Sequence, residues 1–91
     1  MARHKTSEEQ KLMTVLQRLP FAAEEKQGWI ETIDTSGLSE DLAKEIQLKA
    51  AGLPRPEEED VALRQAHEVV EINNLIRRWR LGQNLPTNRR R

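Results

Sequence analysis

From Glu57 to Leu81 the chain runs for about 25 residues with neither proline nor glycine, between Pro56 and Gly82. Inside that run Val69, Ile72, Ile76 and Trp79 recur at steps of three, four and three residues, with Leu75 among them and Val61 and Ala62 upstream. At ~100° per residue these positions gather on one side, the pattern of an amphipathic helix. Pro56 suits an initiating position. Glu57, Glu58, Glu59 and Asp60 crowd the first turn and Arg77, Arg78 and Arg80 the last, which is the favourable sense for the helix dipole at both ends. Gly82 is expected to end the helix. A helix of this length spans about 37 Å. Shorter helices must wrap it, or its C-terminal end must project, and Trp79 is expected to be partly exposed there.

The remaining punctuation cuts three shorter helices. The first is expected from about Glu8 to Leu19, with Ser7 as N-cap and Gln10 completing a capping-box pattern. Leu12, Val15, Leu16 and Leu19 form its apolar stripe, and Pro20 closes it. The second is expected from Ala22 to Thr35, with Trp29, Ile30 and Ile33 on one face and Gly37 as a left-handed stop. Gly28 weakens this helix by about 1 kcal/mol relative to alanine and is expected to admit a neighbouring helix closely. A strand over WIETID would lack a partner for its backbone groups, so helix is preferred. The third begins after Ser39 and stops at Gly52, before Pro54 and Pro56. The expected fold is all-α: three short helices packed on one long C-terminal helix. Residues 7–82 form the single helical domain, with disordered ends at 1–6 and 83–91. The expected core is Leu12, Leu16, Leu19, Phe21, Trp29, Ile30, Ile33, Leu42, Ile46, Val69, Ile72, Leu75 and Ile76.

Composition agrees. β-branched and aromatic residues are few, and the good helix formers dominate. The absence of cysteine removes disulfides and thiolate metal sites. No apolar run reaches the ~18 residues of a membrane span, and no signal-like segment opens the chain, so a cytoplasmic protein is expected. The formal net charge of zero hides an asymmetry: residues 1–76 carry −6 and residues 77–91 carry +6. Such a basic end attracts nucleic acid or an acidic partner surface, although cations near a helix C-terminus are also ordinary helix chemistry.

Each chemical motif has a plainer explanation. His67 and Glu71 at i,i+4 offer two metal ligands with no evident third, and the Glu57–Asp60 cluster lacks the spacing of a calcium loop. Each serine has a capping or turn role, and there is neither a phosphate loop nor a zinc-protease motif. No catalytic, cofactor or metal residue is nominated, and neither a cofactor nor a small-molecule substrate is expected. Residues 22–51 have a helix-turn-helix outline, but the would-be reading helix opens on Glu40 and Asp41, which oppose phosphate contact. The leading expectation is a non-enzymatic protein–protein interaction domain or accessory subunit. It would bind a protein partner or a second copy of itself through Val69, Ile72, Ile76, Trp79 and Arg80. The alternative is a nucleic-acid-associated protein binding phosphates through Arg77, Arg78, Arg80, Arg89, Arg90 and Arg91.

Overall fold

The structure is a computed structural model that describes residues 5–84; the rest of the two end segments, Arg89, Arg90 and Arg91 among them, lies outside the described residues. Four helices follow one another: α1 (Ser7–Arg18), α2 (Ala23–Thr35), α3 (Glu40–Ala51) and α4 (Glu59–Asn84). There is no strand among the described residues, so the chain is all-α as its composition implies.

The first helix starts one residue earlier than Ser7 would allow. Thr6, not Ser7, is its N-cap: the Thr6 hydroxyl accepts from the Glu9 backbone N–H at 3.1 Å, and the Glu9 carboxylate accepts from the Thr6 N–H at 3.0 Å. Both threonine–glutamate and serine–glutamine pairs fit the capping-box rule. What selects the former is tertiary. Glu9 is buried, and its second carboxylate oxygen accepts the Leu38 backbone N–H at 2.8 Å. One side chain thus satisfies a helix end and a buried donor in the α2–α3 loop. Lys5 joins the domain too, through an ion pair of 2.6 Å to Asp34.

Two of the expected stops behave as the residue types suggest. Gly37 has φ 92° and donates to the carbonyls of Thr32 and Ile33, a left-handed cap that a side chain would strain. Ser39 caps α3 by accepting from the Leu42 N–H at 3.1 Å. Gly28 does not do what was expected of it. An added Cβ there would meet nothing within 4 Å, so no helix approaches it. Gly82 likewise fails to stop α4, which continues through it to Asn84. No element packs where a Cβ of Gly82 would stand, and nothing turns the backbone away. The helix start also moves, from Glu57 to Glu59.

α1 and α3 pack along the long helix, and α2 packs against α1. The core comprises Leu12, Val15, Leu16 and Leu19 from α1 and its end, Phe21, Trp29 and Ile33, Leu38, Ala43, Ile46 and Ala50, and from α4 Ile72, Leu75, Ile76 and Trp79. Ile30, Leu42 and Val69, expected as core, are half-buried against its edge. The Phe21 and Trp29 rings meet edge to face at 4.9 Å, and the Trp29 indole N–H donates to Glu45 on α3 at 2.8 Å. The aromatic pair packs the segment before α2 against that helix, and the indole hydrogen bond ties α2 to α3. Arg18 at the end of α1 pairs with Glu68. Along α3, Glu40 reaches Arg80, Gln47 reaches Asn73, and the Pro54 carbonyl beyond it accepts from Gln65, so α3 runs antiparallel to α4.

Candidate interaction surface

Of the five residues expected to bind a partner, the structure buries three inside the chain. Ile72 and Ile76 are fully buried and Trp79 is 7 % exposed, so the expectation of a partly exposed Trp79 is corrected. α1 and α3 pack against α4, and its buried residues share one core with those of α1, α2 and α3. Val69 is half-buried. Arg80 is half-buried and occupied: its Nε donates to Glu40 at 2.7 Å and its guanidinium to Gln47 at 3.2 Å. The fully buried large side chains of α4 therefore lie toward its C-terminal end, while the upstream half is flanked only by the end of α1 and the segment after α3.

The three described candidate phosphate-binding arginines are not brought together. Arg80 is held by α3. Arg77 and Arg78 are exposed and make no hydrogen bond or ion pair among the described residues, yet as sequence neighbours they diverge by ~100° around α4. Arg89, Arg90 and Arg91 lie outside the described residues.

What the apolar wheel missed is the other side of the helix. The large apolar side chains left exposed are Leu48, Val61, Leu63, Val70 and Leu81, and all but Leu48 belong to α4. Leu63, Val70 and Leu81 are each more than half exposed, at 58 %, 56 % and 58 %. Steps of seven and eleven residues place them on one face, opposite the buried side. Ala66 lies between the first two and is also exposed. The signal was present in the sequence, but four apolar residues spread among charged ones are outvoted by the denser 69–79 stripe.

Shallow grooves flank the upstream half of α4. One, beyond the end of α1, is lined by Leu19, Pro20, Val61, Arg64 and Gln65 among others. The second lies between α4 and the segment after α3, lined by Ala51, Leu53, Pro56, Ala62, Ala66 and Val70 among others. They expose carbon and long polar stems. No cluster of three or more metal-ligating side chains occurs among the described residues, and His67 and Glu71 gain no third ligand there. No described helix is long and apolar enough to cross a membrane. The Glu25 carboxylate accepts a hydrogen bond from Lys49 at 3.0 Å and holds its ammonium above the ordinary lysine value.

These features define a small all-helical protein whose uncovered apolar surface is concentrated on one long helix. No protein-family model, no curated protein and no solved structure matches the chain.

Proposed function

We propose that this protein is a non-enzymatic interaction module or accessory subunit, and that it docks through the outward face of α4 rather than through the stripe around Trp79. The observation that carries this reading is the alignment of Leu63, Val70 and Leu81 on one exposed face. Apolar side chains scattered singly on a surface are ordinary, whereas a row of them at helical repeat is the form a helix-docking surface takes. Their exposure contributes nothing to folding the monomer, because the core is complete without them. The phosphate-binding alternative has less support: Arg80 is committed to Glu40, and Arg77 and Arg78 point different ways.

The test is the native size of the chain in an extract of its own host. The wild-type chain is expected to elute well above its monomer mass. Leu63→Glu and Val70→Glu, each folded by circular dichroism, are expected to elute as monomers. Elution of the wild type as a monomer, or elution of both variants with the wild type, would overturn the proposal.

A further inference from the structure

Six residues of α4 step by four, three, four, three and four: Glu59, Leu63, Ala66, Val70, Asn73 and Arg77. This is the spacing of a coiled-coil seam. Every one of the six is exposed. They form a second stripe on the helix, on the side away from the core stripe that contains Ile72, Ile76 and Trp79. Its chemistry is graded: an acid at one end, Leu63, Ala66 and Val70 in the middle, an amide, then a base. Neither Glu59 nor Arg77 has an ion-pair partner among the described residues.

We infer that this stripe is the contact for a second copy of the same chain, with the two α4 helices antiparallel about a two-fold axis between Ala66 and Val70. The inference rests on the docking role proposed for this face and names its partner. A two-fold contact must be self-complementary, so each residue on one copy meets its mirror position on the other. Centring the axis between Ala66 and Val70 pairs Glu59 with Arg77, Leu63 with Asn73, and Ala66 with Val70, each pair occurring twice. Large side chains face smaller ones, which lets the helices approach to the ~8–10 Å typical of packed helices. Opposite charges close both ends. Sliding by one heptad in one direction sets Glu59 against Val70. Sliding in the other direction sets Arg77 against Ala66. Both buried mismatches disfavour those registers, so charge and size together select one arrangement.

The Asn73 carboxamide is already oriented, since its oxygen accepts from Gln47 on α3 at 3.2 Å. The seam spans about 27 Å of helix. A single seam with two apolar layers flanked by two leucine–asparagine layers falls in the class of weak, reversible contacts that bury less than about 1,200 Å².

The experiment uses the purified full chain in sedimentation equilibrium from about 10 µM to about 1 mM, the range where such contacts are populated. The wild type is expected to dimerise. Val70→Glu is expected to weaken dimerisation by at least about 10-fold. Glu59→Arg and Arg77→Glu should each weaken it by about 10-fold, because either change makes two like-charge pairs. The double variant Glu59→Arg/Arg77→Glu restores both pairs and should recover the wild-type value. Mixing the two single variants should also recover it, as heterodimers in which both pairs are again of opposite sign; in a parallel contact the wild type itself would pair like charges, and neither single variant would be weaker than it. A wild type that remains monomeric throughout overturns the inference, as does a double variant or mixture that fails to recover. A monomeric purified chain whose larger complex in the extract still requires Leu63 and Val70 leaves the docking reading standing and eliminates the second copy as its partner.

Discussion

The two halves of α4 use the same kind of sequence for opposite ends. From Ile72 to Trp79, four large apolar side chains are buried in the core shared with the other helices and hold the molecule together. From Glu59 to Val70, Ala62 alone is buried, while Val61, Leu63 and Val70 reach solvent. The described chain is accordingly elongated, 53 × 27 × 19 Å. Helices of 12 or 13 residues cover about half of one that has 26. An apolar residue therefore contributes to stability or to surface according to which half it occupies and which way it faces.

The sharpest way to break this comparison is to truncate both halves. Ile72→Ala and Ile76→Ala should each cost about 2–5 kcal/mol, by lost burial and the cavity left behind. Leu63→Ala should stay within about 0.5 kcal/mol for the monomer. Urea denaturation at low protein concentration separates these outcomes, and similar losses in both halves would refute the division.

Next comes Glu9, which secures α1 over the covered half. Glu9→Ala removes the acceptor of the buried Leu38 N–H and half of the Thr6 box. The expected cost is about 2–3 kcal/mol, since an unsatisfied buried donor is the expensive outcome. Ser7→Ala should be nearly silent, although Ser7 and Gln10 offer the same local pattern; thermal unfolding of both variants measures the difference.

A smaller effect tests the end of the helix. Because α4 continues through Gly82 with open space around it, Gly82→Ala should stabilise the helix by about 0.5–1 kcal/mol. Were Gly82 a left-handed stop, the same change would destabilise, so the sign of the shift in urea midpoint decides.

The smallest effect is at Lys49. Its value is raised in the folded chain by Glu25, so the stabilisation is complete below the ordinary lysine value and is lost as pH rises through the folded one. Glu25→Gln should lower the Lys49 titration midpoint observed by NMR and leave stability at neutral pH almost unchanged.

Much of the architecture was legible because it is local. Apolar periodicity, Pro20, Ser39 and Gly37 act within a few residues of themselves, so the four helices and most of the core could be read directly. The site was legible in part. The long helix was singled out for docking, but the wheel ranks faces by apolar density, and density identified the face that folding consumes. The weaker stripe of Leu63, Ala66 and Val70 had no means of standing out until the denser one was accounted for.

The sequence by itself determined an all-helical chain and the identity of its strongest apolar stripe, since helix periodicity and capping depend on near neighbours. The tertiary structure decided which half of α4 is covered, which threonine or serine caps α1, and where α4 ends. Those outcomes turn on distant contacts: Glu9 reaching Leu38, the core shared by Ile72 to Trp79 with the other helices, and no neighbour at Gly82 to turn the chain aside.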